Sequence, residues 1–592
     1  MNTNWNLQLL YTGMDDPQIT MDIVDFENQY IQFNKNYSGS NLADKATLLK
    51  ALQDYTRLLF CRGERAMIYF NYITELNSSD TAAEAALSLT TERITKASNE
   101  VIFFDLNLGK IPAETQQAFL QDPDFAQYRY YLDGVFKTAK YNLSEAEEKI
   151  ISLKDGPSYS MWVSGQEKLL SHQTINWKGN IIPLTEAQEL VESLPTKERR
   201  KLHKQVMAKL KSVSDFAEAE INAVYTDKKI DDELRGFKTS YDATLLEHET
   251  TEDTVFALVQ STASNIAISH RFFKLKAKLL GLEYLTYADR AVTLSTEQKE
   301  VPFEAGVQIV RKAFAAMDSQ FSDIFDSYLA KGQIDVYPKS GKSGGAYCSS
   351  SIGNPTYVLL NHMPDMQSTV TLAHEMGHAI HSELSESQPP LYQAYTTAVA
   401  EVASTFFEQV VFYNMLETLS VKEQIVALHD RINQDIQTTY RQIAFFNFEL
   451  ELHRTMKKKG AVSKEEIATI LNKHVSEYLG DKFKMAEDDG FFFVGLSHMR
   501  DFFYVYSYAY GSLISRAIYK QYAEDKNALV KIKQFLSAGC SKSPEDIFKD
   551  IGIDISKPEF WDNGFQAIAE DIDRLEALIA NSKAQVSKLA QN

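Results

Sequence analysis

Apolar residues recur along most of this chain at intervals of three and four, the spacing that keeps one face of an α-helix out of water. Over residues 42–75 the stripe is Leu42, Leu48, Leu49, Leu52, Leu58, Leu59 and Met67, and residues 81–104 and 113–154 carry the same period. Polar or Gly/Pro-bearing breaks separate the stripes, such as Asn77-Ser78-Ser79-Asp80 and Asp155-Gly156-Pro157, where turn chemistry competes with the helix. The pattern predicts a mainly α chain, a long array of helices with no short-period repeat. A boundary is expected near Leu194-Pro195, dividing an N-terminal helical region, 1–195, from a larger part, 196–592.

One stretch departs from the helical period. Ile334 to Tyr337, Gly345 to Ser349 and Thr356 to Asn361 read as short strands, the first two separated by Ser340-Gly341-Lys342-Ser343-Gly344. An extended peptide can be held by adding itself to the edge of such a small sheet, and glycines let its backbone come close. Gly345, Ala346 and Tyr347 are therefore candidate substrate-binding residues, with a purely structural sheet as the alternative. Gly341-Lys342-Ser343 echoes a phosphate loop, but that motif requires glycine where Val336 stands.

Directly after the sheet the helical period resumes, and it carries His374-Glu375-Met376-Gly377-His378. On a helix, positions four apart lie on one face, so His374 and His378 can offer two imidazole nitrogens to one zinc ion. Glu375 lies one position round, where its carboxylate can serve as the base toward a water at the metal. Four of the chain's 12 histidines (His362, His374, His378, His381) fall within 20 residues, which weighs against a chance pattern.

Two histidines do not complete a zinc site. After Pro389-Pro390 the helical pattern restarts and carries Glu401 in the small apolar run Ala398-Val399-Ala400-Glu401-Val402-Ala403. A carboxylate there is costly unless paired or bound to a metal; an interhelical ion pair is the plain alternative. Ser404 and Glu408 follow on the same face and could orient the ligands, as could His381. The metzincin pattern would need glycine at His381 and histidine at Leu384, and has neither. A glutamate on the following helix is what remains as third ligand.

Composition narrows the partners. The net charge of −19 disfavours nucleic acid and anionic membranes, and no apolar run reaches the length of a bilayer span. The basic run Lys197 to Lys211 has Leu202, Val206 and Leu210 at helical spacing and reads as a solvated helix face. The first residues show no signal-peptide pattern, and Cys61, Cys348 and Cys540 are few and dispersed. A cytoplasmic location is expected; the oligomeric state is not legible.

A second cluster lies far downstream: His498, then Tyr504, Tyr506, Tyr508 and Tyr510 leading into a helical pattern. Tyr504 and Tyr508 would share one face and Tyr506 and Tyr510 another, so only one pair can face a site. Phenols and an imidazole are donors that a zinc peptidase could aim at an oxyanion; composition alone favours an aromatic core.

The segments Thr371 to His381, Ala400 to Ser404 and His498 to Tyr508 together resemble the oligoendopeptidase F branch of the thimet oligopeptidase family. Gly344 to Cys348, Arg235 to Tyr241, and Gly552 with Phe560-Trp561 extend the likeness over most of residues 230–565. The resemblance implies a two-lobed helical body with a deep channel, the small sheet beside the zinc helix, and catalysis in residues 196–592. It implies a zinc endopeptidase cutting short, unstructured oligopeptides. His374, His378 and Glu401 would be its ligands for one Zn2+, Glu375 its base, and His498, Tyr508 and Tyr504 its transition-state donors. A carboxypeptidase or aminopeptidase on a related helical fold stays open, as does a non-catalytic peptide- or metal-binding protein, although Glu375 has no purpose in the latter.

Overall fold

The structure, a computed structural model, describes residues 2–61, 63–294 and 300–589. It is mainly helical, as the apolar period predicts. The chain forms two compact units, each assembled from three separate stretches. The first comprises Met1–Asn142, Lys299–Asn414 and Tyr522–Ile551; the second comprises Leu143–Gln298, Met415–Gln521 and Gly552–Asn592. The expected division near Pro195 is not where the units part, because residues on both sides of it lie in the second.

In the first unit, the N-terminal helices Pro17–Tyr37, Lys45–Leu58, Gly63–Leu76 and Thr81–Ser98 start at aspartate caps where the sequence allows: Asp16, Asp44 and Asp80 each accept a backbone N–H of the first turn. Their apolar faces close over Phe26, Leu48, Leu52 and Phe104, and the same core takes in Tyr357 and Leu359 of the sheet. Trp5 reaches the sheet too, its indole N–H donating to the carbonyl of Val358 at 2.7 Å. The N-terminal residues are thus part of the body that carries the helix of His374 and His378.

That sheet follows the hairpin described below, so its strands are β3 (Ile334–Asp335), β4 (Tyr347–Ser349) and β5 (Tyr357–Leu359). β5 is central, parallel to β3 and antiparallel to β4, with Cys348 opposite Val358. β4 is therefore an edge strand. Lys342, in the loop that echoes a phosphate motif, is turned inward: its ammonium lies 2.7 Å from Asp335 and donates to the carbonyl of Tyr337 at 2.9 Å.

The second unit is a helical assembly with an antiparallel hairpin, β1 (Thr174–Trp177) and β2 (Asn180–Pro183). The sequence reading did not anticipate this hairpin; its signal is Lys178-Gly179, both at positive φ in a two-residue turn. The basic helix Thr196–Ser212 buries Leu202, Val206 and Leu210 as expected. It is not simply a solvated face, since Arg199 and Arg200 point inward to share Asp289 at 2.7 and 2.8 Å.

Candidate metal centre

The helix Met366–Ser385 begins at Asp365, whose carboxylate accepts the N–H of Ser368, and it carries His374, Glu375 and His378 in mid-helix. The helix Thr397–Leu416 brings Glu401 opposite them. Gly377 makes this approach possible, because a Cβ at that position would sit 2.7 Å from the backbone Cα of Ser404. The glycine within the histidine motif is therefore a packing requirement.

His374 Nε2 lies 3.6 Å from one oxygen of Glu401, and His378 Nε2 3.7 Å from the other. One ligand atom from each of the three residues lies within 4.8 Å of the others, and no other such group of His, Cys, Asp or Glu occurs among the described residues. Donors held about 2.0–2.1 Å from a tetrahedral zinc stand about 3.3 Å from one another, and the two imidazole-to-carboxylate separations come close to that spacing. Glu408, one further turn and more along, places an oxygen 3.0 Å from His374 Nδ1. It fixes the ring so that Nε2 faces Glu401. Ser404 is fully buried and bonds back to its own helix, to the carbonyls of Ala400 and Glu401.

Charge reinforces the geometry. Burial alone would lower the His374 pKa, but the Glu408 bond and the carboxylates of Glu408, Glu375 and Glu401 outweigh it and raise it to about 9. Burial, and after it the His374 charge, pushes His378 down to about 3. Burial raises Glu401 against the pull of His374. Glu375 is buried, and burial lifts its carboxyl to about 7, while a bond from the Cys348 backbone opposes the rise. Three carboxylates around two imidazoles leave a negative surplus that suits a divalent cation.

These groups open into a recess of about 370 Å³ lined by Ala346, Tyr347, Cys348, His374, Glu375, His378 and Glu401, among others. Ala346 and Tyr347 are thus brought to the site. Gly345 is at the strand entrance with φ of 77°, its carbonyl accepting from Asn361, and does not line the recess. His381 makes no hydrogen bond to the ligands; its buried ring stacks on Tyr395 at 3.8 Å. Tyr395, which the sequence reading passed over, joins the recess wall and hydrogen-bonds Ser382 at 2.6 Å. His362 is buried against Phe303, apart from the ligand group.

The donor candidates belong to the second unit. His498 lies in a short 3-10 turn, Ser497–Arg500, and Tyr508 in the first turns of the helix Tyr506–Glu524. Tyr504 precedes that helix, in a turn where Phe502 and Phe503 take φ of 29° and 62°. This turn, unmarked by glycine, is what the sequence reading missed. Its result matches the expected face: Tyr504 shares hydrogen bonds with His498 and, at 3.4 Å, with Tyr508, which is part-exposed. Tyr506 and Tyr510 are buried, and Tyr506 bonds His248 at 2.8 Å.

Comparison with known proteins shows the family. The profile of peptidase family M3 matches residues 190–567, and that of Oligopeptidase F matches residues 107–171. An oligoendopeptidase F homolog of Borreliella burgdorferi is 25% identical over 590 residues, covering 97% of this chain and 98% of that protein. The group B oligopeptidase PepB of Streptococcus agalactiae is 23% identical, covering 93% of each chain. Among solved structures, one from Chlamydophila abortus superposes with a TM-score of 0.87 at 22% identity, covering 97% of this chain and 98% of that one. Oligoendopeptidase F of Enterococcus faecium gives 0.69 at 19% identity, covering 95% and 99%. Because the match to the family profile spans most of the chain, this protein belongs to peptidase family M3, in its oligoendopeptidase F branch, and is a metalloendopeptidase.

Proposed function

We propose that the chain is a zinc-dependent oligoendopeptidase that holds one Zn2+ through His374, His378 and Glu401 and uses Glu375 as general base on short, unstructured peptides. The observation that carries this reading is the convergence of three ligand atoms within 4.8 Å beside a buried carboxylate lining the same recess. Two imidazoles and one carboxylate are a donor set that zinc favours, and one that leaves a position open in catalytic sites. When bound, the cation supplies Lewis-acid polarisation and lowers the pKa of water.

The chain's own residues do the rest. Glu375, with its pKa raised to about 7 by burial, is matched to taking a proton from the attacking water and passing it to the leaving amine. Glu408 keeps the His374 ring in register. The imidazole of His498 and the phenols of Tyr508 and Tyr504 donate to the oxyanion as it develops. Tyr347 begins β4 and Ala346 precedes it; the second edge of this strand has no partner strand among the described residues and can take the peptide in extended form. The three cysteines are free and no described helix is long and apolar enough to cross a membrane, both in keeping with a cytoplasmic enzyme.

The test is hydrolysis of a peptide blocked at both ends. Chelation should abolish it and one equivalent of zinc per chain should restore it, while a His374→Ala variant should bind no stoichiometric zinc and stay inactive. Undiminished cleavage after the metal is removed would end this reading; cleavage only of peptides with a free terminus would make the enzyme an exopeptidase.

A further inference from the structure

Beyond the proposed ligands and Glu375, the wall of the recess in the first unit carries hydroxyls that the reaction does not use, on Ser350, Ser382 and Tyr395. Tyr347 lines the recess as well, but its hydroxyl is buried and its ring packs toward Trp5. The rest of the wall is short, with Ala346, Cys348 and Ala400. Among the described residues no lysine or arginine lines it.

Tyr395 is fixed in place. Its ring lies parallel to that of His381 at 3.8 Å, with 6° between the planes. His381 is wholly buried and neither of its nitrogens has a hydrogen-bond partner among the described residues, so it backs the phenol without taking its hydroxyl. That hydroxyl bonds the buried Ser382 at 2.6 Å, while its contact with the carbonyl of His378, at 3.5 Å, is long. A hydroxyl offers one donor and two acceptors, so a single strong bond between the two leaves capacity for a ligand. Ser382 follows His378 by one helical turn, and neighbouring Cα atoms of a peptide stand about 3.8 Å apart. A side chain beside a bond cleaved at the metal therefore comes within reach of this wall. A hydrocarbon there would take water from the hydroxyls and return no bond, and an acid would meet Glu375 and Glu401 in the same recess.

We propose that Tyr395, Ser382 and Ser350 form a specificity subsite that takes a small, uncharged, hydrogen-bonding side chain, such as that of threonine, from a residue flanking the scissile bond. The subsite rests on the peptidase reading for the identity of its ligand. The residue can precede or follow the bond, and the experiment separates the two. Doubly blocked peptides carry either threonine or valine, which share a shape and differ by a hydroxyl, at one position or the other. Hydrolysis by the zinc-loaded enzyme gives kcat/KM for each, and equilibrium binding to the Glu375→Gln variant gives affinities without cleavage.

At one of the two positions the threonine peptide should exceed its valine counterpart by about tenfold in both measures, the scale of one hydrogen bond. Tyr395→Phe keeps the stack on His381 and removes the hydroxyl, and it should bring that ratio to about one. Ser350→Ala and Ser382→Ala should each reduce it. A variant damaged in fold or in metal binding would weaken both peptides alike, so the ratio reads the subsite alone. Equal treatment of threonine and valine at both positions would overturn the proposal, as would a preference that survives Tyr395→Phe. If no peptide is cleaved, the peptidase reading fails, while the binding ratio still decides the subsite.

Discussion

At the scale of single residues, the proposal separates groups that hold the metal from groups that act on the substrate. Glu401→Gln should lower zinc affinity itself, and Glu408→Ala should lower it by roughly 10–100-fold through loss of ring orientation; a competitive chelator titration measures both. Tyr508→Phe and His498→Ala should instead lower kcat by about 10²–10³ with little change in KM. Tyr506→Phe should spare kcat and cost stability, since that hydroxyl is buried on His248. A Tyr506 variant more damaged in kcat than the Tyr508 variant would reverse the assignment of faces. The proposed histidine ligands were legible because residues four apart share one face of a helix. Glu401 was legible because a lone acid in an apolar run asks for a partner.

Between elements, contact decides what spacing cannot. Gly377 reads in sequence as a helix-weakening residue, yet the Cα of Ser404 occupies the space of its missing side chain. Gly377→Ala should push the two ligand helices apart, costing about 1–3 kcal/mol of stability and weakening zinc binding, with melting and metal titration as the measures. An alanine variant of unchanged stability and affinity would show that the helices need not touch. The donor turn has a comparable support. Both oxygens of buried Glu449 accept the N–H of Phe503 at 3.2 Å, in the turn of positive φ.

Burial lifts the Glu449 pKa to about 8, so folding favours its protonated form. Stability from this group is full below the unfolded value near 4.5 and is lost as pH rises toward 8, by at most about 1.4 kcal/mol per pH unit. Glu449→Gln should therefore melt like the wild type at pH 4.5 and above it at pH 8. A variant less stable than the wild type at pH 8 would show that the carboxylate charge is needed. Short strands and helices were mostly legible from period alone. The turn before Tyr504 was harder, because Phe502 and Phe503 stand at positive φ with no glycine to mark it.

At the scale of the whole molecule, the mainly helical class followed directly from the apolar period, but the assembly of units did not. An apolar stripe shows that a face is buried, not which face buries it; thus the first 142 residues join the unit that carries His374, His378 and Glu401 rather than forming a region of their own. The recess at the metal centre, about 370 Å³, suits a few residues of extended chain. A folded domain of 100 residues, with a radius of gyration of about 13 Å, cannot present a bond there without unfolding locally. Unstructured peptides should be cut efficiently, and the same sequence in a surface loop of a native protein negligibly; comparable kcat/KM for both would indicate a general protease.

The most direct measurement takes metal content and hydrolysis of a doubly blocked peptide from one preparation of the Glu375→Gln variant. The substitution removes the base and leaves His374, His378 and Glu401 in place. One zinc per chain with a rate lowered by roughly 10²–10⁴ is the expected result. A variant that holds its zinc and cleaves at the wild-type rate would contradict the assignment of Glu375 as the base.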